Sequence, residues 1–180
     1  VQVQTEEVKS AGRKVSSLEE FLHIAKEDFH EAYRIFTERH FSLILSDQSE
    51  KIRSLYAGMS QQPVTYQHLE EFLIAAGAKE KVTLSLNREA AGFYDVSESV
   101  QESLYIHRSG WGHLRADIEV NGDFLEAGKH VVTEEDFIGS TCEINYVIRQ
   151  EKLGKGNQYG EIIVKTPYQK LVYHVLASRG

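Results

Sequence analysis

Two imidazoles and a carboxylate, His23, Glu27 and His30, stand at i, i+4 and i+7. That spacing puts them on one face if a single helix runs through all three. The donor set would suit zinc or another borderline metal. The apolar stripes around it break near residues 26–28, however, which would part the two imidazoles. A solvated polar face is the preferred reading, and no metal is expected. A second cluster, Thr133-Glu134-Glu135-Asp136 with Asp123 and Glu126 nearby in sequence, has carboxylates for calcium but lacks the alternating Asp/Asn spacing of an EF-hand loop. It reads as an acidic turn between strands, or the first turn of a short helix. Gly154-Lys155-Gly156 with Gly160 matches neither phosphate-cradling glycine pattern and lies between two strands, so it reads as a strand connection. The single cysteine, Cys142, shares alternate positions with Ile144 and Tyr146; its thiol is expected inside, as a small hydrophobe and not a nucleophile. The chain carries no GxSxG elbow, and no Ser/His/Asp grouping stands out. No catalytic residue and no cofactor are expected, and the chain is expected not to be an enzyme.

Trp111, between Gly110 and Gly112, is the residue with a binding role to offer. A Trp on a glycine-flexed turn can present its flat face to a sugar ring. Alternatively the indole folds inward or caps the helical part. Tyr105, His107 and His113 would line the same neighbourhood, so the ligand-binding candidates are Trp111, Tyr105, His107 and His113.

The elements that must position these residues change character near residue 80. Over residues 17–77 the apolar side chains recur every three or four positions. Leu18, Phe21, Leu22 and Ala25 form one stripe, and Phe29, Ala32, Tyr33 and Phe36 a second. Ser17 with Glu20 reads as a capping box. Asp47 with Glu50 is expected to start a helix carrying Ile52, Leu55 and Tyr56 that Gly58 closes. Pro63 and Thr65 open a last one through Leu69, Phe72, Leu73 and Ala76, ended by Gly77. Beyond residue 81 the period becomes two. Leu114, Ala116, Ile118 and Val120 form one alternating set, Cys142, Ile144, Tyr146 and Ile148 another, and Leu171, Tyr173 and Val175 a third. Asn121-Gly122, Ala127-Gly128 and Thr166-Pro167 mark turns. Seven or more short strands with no helical pattern between them predict an antiparallel sandwich. The fold class is therefore α+β in two segregated parts, an N-terminal small helical bundle followed by an antiparallel immunoglobulin-like β-sandwich. The expected boundaries are a linker or edge strand over residues 1–15, a helical module over 16–79 and the sandwich over 80–180. About 60 helical residues make a marginal core, so the helical module is expected to pack on something else, with Tyr33, Phe36 or Phe41 as contacts.

Composition narrows the partners. Hydrophobic content of 41% and charged content of 26% are ordinary for a globular chain, and no run approaches the ~20 apolar residues of a membrane helix. With 27 acidic against 20 basic residues the net charge is −7, and the basic residues are scattered, which disfavours nucleic acid. One cysteine excludes an internal disulfide. The chain starts on Val1 with no signal-peptide pattern and is expected to be a piece of a longer protein.

The segment Ile106-His107-Arg108-Ser109-Gly110-Trp111-Gly112-His113-Leu114, continuing through Asp117-Ile118 to Gly122-Asp123-Phe124-Leu125, resembles a glycine-bearing stretch of bacterial immunoglobulin-like modules of the BACON type. Leu153-Gly154-Lys155-Gly156-Asn157-Gln158-Tyr159-Gly160-Glu161-Ile162, with Val164 and Thr166, resembles their later strand pair. Ser109 stands where such modules have Asn, and Phe124 where many have Trp. The resemblance spans residues ~93–178 and implies a sandwich in which Tyr159 and Ile162 pack between the sheets; it carries no ligand site over. The whole chain is also similar to segments of large bacterial multidomain proteins of unassigned function, in which helical pieces precede such sandwiches. The expectation is a non-catalytic structural or protein-interaction segment. Its partners would be neighbouring domains of the same protein or another protein, the sandwich serving as spacer and the helical module as docking surface. A carbohydrate-binding module using Trp111 as a stacking platform is the alternative.

Overall fold

Among the described residues, four short α-helices form because a capping side chain stands ready at each start. The computed structural model describes residues 14–180. Helix α1 (Leu18–Glu27) begins where Ser17 Oγ accepts the Glu20 amide, and α2 (Phe29–Phe36) where the Asp28 carboxylate accepts that of Glu31. Asp28 thus ends one helix and begins the next. The Glu20 carboxylate accepts from the Ser16 hydroxyl, so the expected reciprocal box at Ser17 is only half made. A 3₁₀ turn (Phe41–Leu45) leads to α3 (Glu50–Met59). Its cap is Ser49, whose Oγ accepts the Ile52 amide, and not Asp47, which takes a bond from Gln48 Nε2. Gly58 lies inside the last turn of α3 and does not close it. Helix α4 (Tyr66–Ala75) has a full capping box from Thr65 and His68 and ends before Gly77, whose φ is +78°.

This unit has a core of its own. Phe21, Phe36, Phe41 and Phe72 meet with ring centroids 4.7–6.2 Å apart. Phe36 and Phe41, expected as exposed contacts, are 0% and 3% exposed. They occupy the inward stripe of their elements, and each such ring contributes roughly 1.5–3 kcal/mol by leaving water. Tyr33 is half-buried, stacked on Tyr66 at 4.1 Å, with its hydroxyl donating to Val64 O.

The strands of the described residues form two sheets. One has the order β1 (Thr83–Leu86), β3 (Val100–Ser109), β7 (Thr141–Ile148), β5 (Leu125–Ala127). The other runs β2 (Ala90–Val96), β9 (Lys170–Arg179), β8 (Asn157–Lys165), β4 (Arg115–Asn121), β6 (Val131–Thr133). The first is the A-B-E-D order of an immunoglobulin sandwich, and β9-β8-β4 is its G-F-C row, with β2 and β6 at the edges. The pairing is not wholly antiparallel as expected. The three residues between β1 and β2 carry the chain from one sheet to the other without a hairpin, and β2 pairs parallel to β9. The acidic run at 134–136 is one 3₁₀ turn, capped by Thr133 and Asp136. The expected leader, residues 1–15, lies outside the described residues except for its last two.

Leu104, Ile106, Cys142, Ile144 and Tyr146 face Ile118, Ile162, Val164, Tyr173 and Val175 across the sandwich. Where antibody domains place a disulfide and a Trp, this core has two tyrosines. The hydroxyls of Tyr146 and Tyr173 lie 2.8 Å apart, both residues fully buried. Tyr159 is not between the sheets: it is 75% exposed, while Ile162 is 0% exposed. Residues three apart on a strand lie on opposite faces, and β8 turns Gly160, Ile162 and Val164 inward.

Compact units divide the described residues slightly differently from the period change: those up to 80 with Trp111–His113 form one, and 81–110 with 114–180 the other.

Burial pushes the Tyr146 phenol and the Cys142 thiol up from their ordinary values. Both groups are neutral when folded, so their contribution to stability is complete at neutral pH. It is lost as pH rises past the unfolded values, about 8.5 for Cys and about 10 for Tyr. Urea titrations should show the stability falling from there upward. Tyr146→Phe and Tyr173→Phe each leave the other hydroxyl buried without this partner. Each should cost about 1–3 kcal/mol in the same titrations, and an unchanged midpoint in both variants would show that the pair does not contribute.

Candidate functional site

A carboxylate inside a helical bundle must be answered, and Glu70 of α4 is. It is 1% exposed. Its Oε2 is paired with Lys79 Nζ, both side chains almost fully enclosed, and its Oε1 accepts the main-chain amide of His113 at 3.0 Å. Lys79 Nζ also lies 5.4 Å from the centroid of the Trp111 ring. Gly112 completes the arrangement. Its φ is +112°, and a Cβ there would come within 2.5 Å of Glu70 Oε1, so no other residue fits. His113 stacks with Tyr66 at 5.8 Å and with Phe29 at 6.4 Å. The sequence carries a signal for Glu70 that periodicity arguments pass over: it stands one turn from Tyr66 and Leu73, on the apolar stripe.

Trp111 is half-buried against the helical core. It also lines a groove of about 650 Å³ with Glu19, Glu20, His23 and Lys26. Trp111 and His113 thus belong to the helical unit, whereas Tyr105 and His107 lie on the outer face of β3 in the sandwich unit. The Tyr105 hydroxyl donates to Glu143 Oε2 at 3.2 Å, and that bond and the carboxylate's charge push its phenol up. His23 and Glu27 pair at 3.0 Å, while His30, beyond the Asp28 break, bonds the Tyr66 hydroxyl at 2.5 Å. Among the described residues no three His, Cys, Asp or Glu converge as metal ligands, and no helix is long and apolar enough to cross a membrane.

The sandwich unit offers a different kind of surface, which the sequence reading does not single out. On the outer face of the five-stranded sheet, Gly92 of β2, Leu176 of β9 and Tyr159 of β8 stand in one row. A bulge between Phe93 and Val96, with Asp95 at φ 55°, re-aims the preceding residue. Tyr94 folds back, so that its hydroxyl would lie 2.9 Å from a Cβ placed on Gly92. Tyr94 is 64% and Tyr159 75% exposed. Tyr159 lines a trough of about 350 Å³ with Leu176 and the neighbouring row, Ala90–His174–Glu161.

The profile of a family described as "Family of unknown function (DUF5717) N-terminal" matches residues 1–180. No curated protein matches. Among solved structures, the ASH / PapD-like domain 7 of human CEP192 is similar over 54% of this chain and 84% of its own, at 10% identity and TM-score 0.41. A FixG-related protein from Vibrio parahaemolyticus is similar over 56% of this chain and 97% of its own, at 10% identity and TM-score 0.38. A family 123 glycoside hydrolase from Clostridium perfringens matches 56% of this chain but 27% of its own, at 6% identity and TM-score 0.40. At these TM-scores none of the three bears on function.

Replacing Glu70 by Gln leaves the Lys79 ammonium enclosed without its counter-charge, which costs about 3–5 kcal/mol. Trp111 is the single Trp, so its emission reports the site directly. Glu70→Gln should lower the unfolding midpoint and move that emission to longer wavelength, and Glu70→Leu combined with Lys79→Met should recover part of the loss.

Proposed function

We propose that this chain, which belongs to the DUF5717 N-terminal family, is a non-catalytic, protein-interacting segment of a larger protein. The observation that carries this reading is the outer face of β2, β9 and β8. Two exposed tyrosines flank a half-buried leucine on a rigid sheet, with a carboxylate and an imidazole in the next row. Tyrosine supplies wide contact area at low entropic cost, and such residues dominate the binding energy of protein interfaces. The docking surface is thus assigned to the sandwich. Phe36 and Phe41, its earlier candidates on the helical module, are core residues. The BACON-type reading of the sandwich rests on its two glycine-bearing segments, and the exposed Tyr159 departs from that pattern.

Glycan binding is the second reading. It is favoured by the groove in which Trp111 stands beside Glu19, Glu20, His23 and Lys26, an aromatic ring with polar groups around it.

A photo-crosslinking residue introduced at Tyr159 or Tyr94 of the full-length protein should yield polypeptide adducts in cells, and one at Gln101 on the opposite sheet should not. Equal labelling from all three positions, or none from the tyrosines, would remove the first reading. For the second, oligosaccharide titration should shift Trp111 emission, with Trp111→Ala abolishing binding; an unchanged spectrum across neutral and acidic glycans removes it.

A further inference from the structure

We infer that β1 is a self-pairing edge: a second copy of this chain joins it antiparallel through Val82–Leu86, and the Gln169 side chain holds that place until the copy arrives. The surface lies at the border of the four-stranded sheet, apart from the sandwich face read above as protein-binding, and stands independently of it.

Borders decide what a sheet can add. Among the described residues, β1 and β5 border one sheet, β2 and β6 the other. Proteins keep such borders from pairing by making them short, bulged or charged. Strands β5 and β6 have three residues each, and β2 carries the bulge beside Asp95. Strand β1 has none of these devices. It pairs with β3 in unbroken register, and its four residues are uncharged and free of proline.

One side chain closes it instead. The Asn87 amide donates to Tyr105 O, so the odd-numbered residues bond β3 and the even-numbered ones turn their amide and carbonyl away from it. Leu84 is turned out in this way, and the Gln169 carboxamide takes both of its groups. Oε1 accepts the Leu84 amide at 2.7 Å, and Nε2 donates to the Leu84 carbonyl at 3.0 Å. One acceptor and one donor are what the opposite residue of an antiparallel strand would present. The turn that carries Gln169 is braced to deliver them. Thr166 Oγ1 accepts the amides of Tyr168 and Gln169, and the Thr166 amide donates to the Gln169 carbonyl.

The sequence around Leu84 decides the partner. It reads nearly the same in both directions, Thr83 and Ser85 first, then Val82 and Leu86. Val82 and Leu84 are buried and Leu86 half-buried, whereas Thr83 and Ser85 are exposed. Two copies related by a two-fold axis at Leu84 therefore set hydroxyl against hydroxyl on the outer face and apolar against apolar on the inner one. The next pair out, Lys81 with Asn87, brings no like charges together. The two Leu84 residues exchange both main-chain bonds, which replaces what each Gln169 gives up. That symmetry is of use only to a second copy.

Dimerisation thus competes with Gln169, since each copy must break two hydrogen bonds to open its edge. Removing those bonds in advance tightens the dimer.

The test is sedimentation velocity of the full chain over a concentration series. Gln169→Met, which keeps the length of the side chain but neither bond, and Gln169→Ala should both dimerise at least tenfold more tightly than the unaltered chain, with unfolding still cooperative. Thr83 of one copy faces Ser85 of the other, so adding Thr83→Lys and Ser85→Lys should return either variant to monomer. Thr83→Lys with Ser85→Glu should keep the dimer. Folded Gln169 variants that associate no more tightly than the unaltered chain overturn the inference. So does a dimer that survives both lysine substitutions, which seats it elsewhere, or one lost equally with the lysine–glutamate pair, which denies the register. Loss of folding in both Gln169 variants overturns it too, because Gln169 is then a support of the fold and not a removable guard.

Discussion

Only every second side chain of a strand can reach the space between two sheets, and the sandwich unit is organised by that restriction. Ile162 and Val164 fill the interior from β8, which obliges Tyr159 and Glu161 to stand outside. Tyr173 and Val175 do the same on β9, which sets Leu176 and His174 on the outer surface between their neighbours. The trough is therefore the outward counterpart of the core. Its spacing is inherited from backbone pairing.

The helical unit answers to a different constraint, the enclosure of charge. A buried ammonium and carboxylate are tolerated only when both are compensated. Glu70 meets this with Lys79 on one oxygen and the His113 amide on the other. Gly112 is needed there because the carboxylate comes too close for any side chain. Trp111 and His113 are held beside it by the indole–ammonium contact and by stacking on Tyr66. The three residues behave as part of the helical unit although the sequence places them between two strands.

The immunoglobulin-like topology stands here without the disulfide and Trp that pin it in antibody domains. Its centre is a hydroxyl pair, Tyr146 with Tyr173. Two large rings supply the volume and the shared hydrogen bond satisfies their polar ends.

Spacing alone determined where helices yield to strands, which faces of β3, β4, β7 and β9 turn inward, and the caps at Ser17 and Thr65, because these are local consequences of periodicity and of hydroxyls beside free amides. It also kept His23 and His30 apart, through the break at Asp28. What it did not determine depends on residues distant in the chain. Phe36 and Phe41 are core because Phe21 and Phe72 cover them. Trp111 turns to the helices because Lys79 and Glu70 wait there. The parallel pairing of β2 and the trough that Tyr159 lines with Ala90 and Leu176 arise only when strands distant in the chain are laid side by side. Periodicity along one segment says which face a side chain takes, and only the folded sheet says what stands next to it.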